Sequence, residues 1–196
     1  HEQIAQIAEA ERAGAVHAAE TLRSAGFPAT TVSIGSTPTA LFTECLDGVT
    51  EVRAGVFVFF DLVMAGINVC QTDDIALSVL TTVIGHQADK GWALIDAGWM
   101  ATSRDRGTAR QPVDQGYGLV CDSAGVLIPD LIVADANQEH GIIAHRHGGP
   151  LPALPVGTRL RILPNHACAT AAQHDRYHVV DTQGQVTATW TRFSGW

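Results

Sequence analysis

Apolar positions recur at steps of three and four through the first 26 residues. Ile4, Ala8, Glu11, Ala15, Ala18 and Leu22 mark one face, widened by Ile7 and Ala19. That period predicts an amphipathic helix, with Gly26 as its cap and Pro28 blocking continuation. The period then shortens. Residues 30–34 are β-branched and read as a short strand running into Gly35-Ser36-Thr37-Pro38-Thr39. A helical segment over residues 40–46 and a second strand over 49–60 follow. Helix, strand, helix, strand is the rhythm of a parallel α/β unit.

After Asp61 the texture changes. Residues 75–85 and 92–101 are strand-like runs separated by His86-Gln87-Ala88-Asp89-Lys90-Gly91. Further short strands are predicted over 118–121, 127–133, 141–144, 158–163, 177–181 and 186–191. Turns at 122–125 and 182–184 and a loop at 148–152 separate them. The pattern therefore predicts two parts, α/β over residues 1–66 and mostly β over 67–196.

Composition narrows the function classes. With 196 residues, 46% of them hydrophobic, the chain can build a sizeable core. A formal charge of -8 argues against nucleic acid or an anionic membrane as partner. No apolar run approaches the roughly 20 residues of a spanning helix, and no signal-peptide pattern opens the chain. Cys45, Cys70, Cys121 and Cys168 are irregularly spaced, which favours free thiols in a reducing compartment and a cytoplasmic location. Of the 12 basic residues only Lys90 is lysine.

Candidate chemistry gathers in five places. In Leu163-Pro164-Asn165-His166-Ala167-Cys168, an extended backbone would send His166 and Cys168 from one face. Imidazole and thiolate together suit a borderline-soft ion, zinc above all; the same pair also reads as a buried thiol beside a hydrogen-bonded histidine. Gly35, Ser36 and Thr37, between a strand and a helix, offer N–H groups and hydroxyls to a phosphate, or simply cap the helix. Arg53 and Gly55 follow one strand later. Asp96, Ser103, Arg104 and Asp105 put acids and bases behind another strand, and Asn137-Gln138-Glu139-His140 forms a dense polar turn. His17, His145, His147, His174 and His178 read as surface or supporting residues.

These motifs resemble, in fixed order, the C-terminal half of the D-serine dehydratase-like and D-threonine aldolase family, whose barrel is similar to that of alanine racemase. The resemblance rests on VSIGSTPT, EVRAGVFVFFDL, ALSVLTTVIGHQ, IDAGWMATSRDRG, NQEHG and ILPNHAC. It implies an α/β plus all-β chain: the C-terminal part of a PLP-binding (β/α)8 barrel, then an antiparallel β-domain with a metal site. It implies that Gly35, Ser36 and Thr37 hold the PLP phosphate with Gly55 nearby, and that Arg53 faces the pyridine nitrogen. His166 and Cys168 match the zinc pair of the dehydratase branch, where the aldolase branch carries aspartate in the second position. Gln138 and His140 are candidate substrate contacts.

The expected reaction is dehydration of a β-hydroxy-D-amino acid, such as D-serine, D-threonine or 3-hydroxy-D-aspartate, to a 2-oxo acid and ammonia. A metal-dependent D-threonine aldolase and a non-catalytic PLP-binding or structural fragment are the alternatives. The family's Schiff-base lysine precedes everything in this sequence, and Lys90 lies in a β-domain turn. The expectation is thus a C-terminal portion, inactive alone, partnered by the N-terminal half of the barrel and by a second copy in a homodimer.

Overall fold

The computed structural model describes residues 1–193, and the chain divides into two compact units, His1–Val58 and Phe59–Trp196. In the first, helix α1 spans Glu2–Ser24. Gly26 takes the left-handed position just past it, at φ +84°. The Gly26 and Phe27 N–H groups return to the Arg23 and Leu22 carbonyls, both at 3.0 Å, the paired bonds that close a helix around a glycine. Strand β1 (Ser33–Ile34) pairs in parallel with β2 (Glu51–Val52), Ser33 opposite Glu51. Val32 and Ile34 are buried, and α1 packs against β1.

Helix α2 (Thr37–Phe42) begins three residues before the expected start and ends before residue 46. The reason is a capping box: Ser36 N–H donates to Thr39 Oγ1 at 3.0 Å while Ser36 Oγ accepts from Thr39 N–H. Pro38 in the first turn needs no amide partner. The second strand is also shorter than the expected 49–60. Its ladder stops at Val52, a 3₁₀ turn forms at Val56–Val58, and Phe60 adopts φ +52°, which no strand tolerates.

The units part at residue 58 and not near 66. Residues after Asp61 form helix α3 (Leu62–Gly66), and Leu62 is buried with Ile75, Cys121 and Leu163, all of the second unit. The first unit, described by itself, leaves Ile7, Leu22, Phe27, Leu46 and Phe57 exposed.

The second unit is built on six antiparallel strands: β3 (Val79–Gln87), β4 (Trp92–Ile95), β5 (Gly118–Asp122), β6 (Leu127–Ala136), β7 (Gly141–His145) and β8 (Arg159–Pro164). They close as β3-β4-β7-β6-β5-β8, so no open edge remains in the ring. Alternation fills the interior. In β8, Leu160 and Ile162 point inward to meet Val83, Ile95, Val120, Leu131, Val133 and Ile143, while Leu163 turns to the Leu62 cluster. Register shifts in β3, β5 and β6 supply the local bends that closure requires.

Two short helices, α4 (Trp99–Thr102) and α5 (Ala167–Ala172), follow β4 and β8. A hairpin of β9 (Arg176–Val180) and β10 (Val186–Thr191) comes last. Lys90 sits in the turn between β3 and β4, as expected, with Nζ 4.7 Å above the Trp92 ring. Among the described residues no helix is long and apolar enough to cross a membrane.

Candidate functional site

Strand β8 delivers Asn165, His166 and Cys168 to its end, but not on one extended face. The backbone turns into α5 directly after His166, whose φ −135° and ψ 108° are its last extended values. Cys168 lies in the first helical turn, so the two-residue face argument fails here and the pair depends on how that turn is held.

It is held at three successive residues, Asn165, His166 and Ala167. Asn165 is 2% exposed; its Oδ1 accepts from Thr108 N–H at 3.0 Å, and its Nδ2 donates to Thr108 Oγ1 at 2.9 Å and Gly116 O at 2.7 Å. His166 Nδ1 lies 2.6 Å from Asp105 Oδ2. Ala167 N–H donates to Asp61 Oδ2 at 2.8 Å, and Asp61 Oδ1 accepts from Met64 N–H at 2.9 Å. One buried carboxylate thus caps α5 and α3 together. Thr170 Oγ1 donates to Thr102 O, which binds α5 to α4.

Asp61 and Asn165 escaped the sequence reading as site-forming residues. Asp61 carried a signal, an aspartate three residues before Met64 at a helix start. Its second partner, 106 residues away, carried none.

As a donor set, His166 and Cys168 fit a cation. With Nδ1 engaged by a carboxylate, Nε2 is the ring nitrogen left to coordinate. Cys168 is an exposed residue with a free thiol. Partial burial of the sulfur, then the Asp61 carboxylate, push that thiol above its ordinary value, so binding must displace its proton. Among the described residues no group of three or more His, Cys, Asp or Glu gathers around one point. His166 and Cys168 are thus the candidate donors at this turn.

The phosphate candidate, in the first unit, fits in part. Gly35 N–H donates to Glu11 Oε1 at 2.9 Å, and Ser36 N–H is spent in the capping box. Gly35 is required by crowding: at φ +121°, a Cβ would fall inside the Arg53 carbonyl oxygen. Thr37 Oγ1 accepts from Phe57 N–H at 3.1 Å, leaving Thr37 N–H at the helix start, where no intrahelical acceptor exists. Gly55 faces open space, so backbone approach by a ligand is free there. Arg53 is exposed, its Nε donating to Ser33 Oγ at 2.8 Å and lying 3.8 Å from Glu51 Oε1. Ser33, Glu51 and Arg53 share the face opposite buried Val32 and Ile34.

Gln138 and His140 are exposed in the β6–β7 turn. That turn has a structural task as well: the Asn137 and Gln138 carbonyls accept from Trp99 and Met100 N–H at 2.9 and 3.2 Å. Gly98 is required because a Cβ would collide with the same carbonyls. Asp96 is engaged in the barrel wall, accepting from Thr81 Oγ1 at 2.7 Å and Thr82 N–H at 2.8 Å. His145 is half-buried beside Asp130, at 3.9 Å, and His147 reaches the same carboxylate at 3.7 Å.

A closed antiparallel barrel, with a pinned His-Ala-Cys turn at the end of one strand, defines a domain whose family match is direct. The family model described as "Putative serine dehydratase domain" matches residues 76–180, and the chain belongs to this D-serine dehydratase-like, alanine racemase-like family. The chain is 61% identical to D-threo-3-hydroxyaspartate dehydratase of Delftia sp. strain HT23, over all of this chain and 52% of that protein. It is 31% identical to D-serine dehydratase of Dictyostelium discoideum, over 84% of this chain and 43% of that one. Structures of D-threo-3-hydroxyaspartate dehydratase, one of them from Delftia sp. HT23, superpose with a TM-score of 0.91, covering all of this chain and 52% of theirs. They include a cysteine-to-alanine variant in a metal-free form and a histidine-to-alanine variant. An alanine racemase-like protein from Idiomarina loihiensis matches at 48% identity and a TM-score of 0.90, again over all of this chain and 52% of that one. The chain spans about half the length of the relatives it matches.

Proposed function

We propose that this chain is the metal-binding half of a PLP- and zinc-dependent lyase that dehydrates a β-hydroxy-D-amino acid, with 3-hydroxy-D-aspartate the leading substrate. The observation that carries the reading is the turn from Asn165 to Cys168, in which Asn165, His166 and Ala167 are separately bonded to distant parts of the chain. Such pre-organisation is what a catalytic ligand pair requires. The 61% identity to a dehydratase of that substrate supports the choice.

His166 Nε2 and Cys168 Sγ would hold the metal, which when bound supplies a Lewis acid for the departing β-hydroxyl. PLP when bound supplies the electron sink for the α-carbon. Thr37 N–H and Gly55 would take its phosphate, beside Gly35 and Ser36, whose own amides stabilise the turn. Arg53, steadied by Ser33 and Glu51, would face the pyridine nitrogen; a permanent guanidinium there keeps that nitrogen unprotonated. Gln138 and His140 would meet substrate polar groups. Water removed across the Cα–Cβ bond leaves an enamine, whose hydrolysis gives the 2-oxo acid and ammonia.

No lysine lies in the first unit, so an amine for the PLP aldehyde must come from the N-terminal half of the barrel. The apolar side chains left exposed on the first unit support such a partner, and a homodimer is proposed for the whole enzyme. Four free thiols favour a reducing compartment such as the cytoplasm.

The test is product analysis with the complete protein and a panel of β-hydroxy-D-amino acids. Ammonia and 2-oxo acid in equal amounts are expected, lost on Cys168→Ala or on chelation and restored by zinc only in the chelated wild type. Glycine with an aldehyde would make the protein an aldolase. Full activity after metal removal would reduce His166 and Cys168 to a thiol and its neighbour.

A further inference from the structure

If His166 is to meet a cation, one particular ring nitrogen must carry the lone pair, and a residue outside the ligand pair decides which. Asp105 Oδ2 stands 2.6 Å from His166 Nδ1. An ionised carboxylate only accepts, so in the neutral ring the hydrogen sits on Nδ1 and the lone pair on Nε2.

The way Asp105 is delivered is unusual. Its N–H donates to Ser103 Oγ at 3.2 Å, and Ser103 is 5% exposed with φ +99° and ψ 166°. That backbone region belongs essentially to glycine, and non-glycine residues persist there only where surrounding structure holds them. The surroundings do. Ser103 N–H closes α4 onto Trp99 O at 2.8 Å, Thr102 O accepts from Thr170 of α5, and His174 Nε2 lies 3.0 Å from Ala101 O. The segment presenting Asp105 is therefore bonded to the helix that carries Cys168. Both members of the Asp105–His166 pair are about half exposed, at 53% and 41%, and a solvated ion pair of this kind adds little stability by itself. Strain beside a contact of so little stabilising value points to a task other than stability.

We infer that Asp105 is the positioning residue of the metal pair. It fixes the His166 tautomer and ring angle so that Nε2 faces the ion shared with Cys168, and the Ser103 turn is what brings it there. The inference rests on reading His166 and Cys168 as ligands, and its test separates the two.

On the full chain, zinc affinity is measured by competition with a chromophoric chelator, and cobalt(II) binding by its sulfur-to-metal charge-transfer band. The tautomer of His166 is read from long-range ¹⁵N–¹H spectra of the metal-free chain where the ring is neutral, its signals assigned by their loss in His166→Ala. The wild type should show the Nδ1–H tautomer and Asp105→Ala a mixture. Zinc affinity should fall about 10–100-fold in Asp105→Ala and less in Asp105→Asn, whose amide oxygen still accepts from Nδ1–H. The cobalt charge-transfer band should weaken in step, because the same site is loosened. An Nε2–H tautomer in the wild type overturns the proposal. So does zinc affinity in Asp105→Ala equal to wild type while His166→Ala loses it. If His166→Ala and Cys168→Ala both keep wild-type affinity, the ligand pair itself is wrong and the proposal falls with it, a pattern distinct from either of the others.

Discussion

Ser103 holds a backbone geometry that any β-carbon resists, and its two nearest substitutions divide its roles. Ser103→Gly and Ser103→Ala both remove the hydroxyl that accepts from Asp105 N–H, but only alanine keeps the steric conflict at φ +99°. The alanine variant should be the less stable by about 1–2 kcal/mol in urea denaturation; equal stability would mean that the backbone relaxes away from that conformation. Elsewhere at this scale, residue type was a fair guide and partner was not. Ser36 reads as a polar turn residue, and it is one. That Glu11, 24 residues upstream, takes the Gly35 N–H follows from tertiary packing, which no local pattern encodes. Equally, Gly35 reads as a turn residue, but that the Arg53 backbone stands where its Cβ would be is again set by tertiary packing.

Helices α3 and α5 share the buried carboxylate of Asp61, so one side chain determines two elements. Asp61→Ala should cost about 2–4 kcal/mol, a lost cap at each helix plus amides left unsatisfied. Asp61→Asn should cost less, retaining one acceptor oxygen; the measurement is the urea midpoint of each variant. The strands of the barrel were largely legible: alternation placed β5 to β8 within a few residues, because each has one face in the core and the other outside it. The apolar run over residues 53–60 misled, since Gly55 and the left-handed Phe60 break a stretch whose composition reads as strand. Pro164 concealed α5 in a similar way. A proline normally closes a segment, and here the bend after it starts a helix capped from 106 residues away.

At the scale of the whole molecule, two thiols make stability depend on alkaline pH. Burial is the first cause at both Cys70 and Cys121, seconded by Asp74 and Asp122, and pushes each up to about 11 from an ordinary 9.0. Below the ordinary value both states keep their protons and the folded chain is at full stability. As pH rises from about 9 toward about 11 the unfolded chain releases protons that the folded chain retains, so stability falls across that window. Urea midpoints on either side of it should show the decline, and Cys121→Ala should show a shallower one. The same scale explains why the family was legible in the sequence. Ordered motifs identify a family, while the exposed apolar residues of the first unit become visible only when the two strands are seen without others beside them.

The turn between β3 and β4 has a practical consequence. Lys90 carries the chain's one ε-amine, held at the Trp92 ring. Amine-directed reagents, carbonyl compounds and surface immobilisation therefore have one side-chain target in all 196 residues, and it reports on itself through a neighbouring indole. A dye, tether or cross-linker placed there has a known address in the β3–β4 turn, so attachment to side chains is confined to one position.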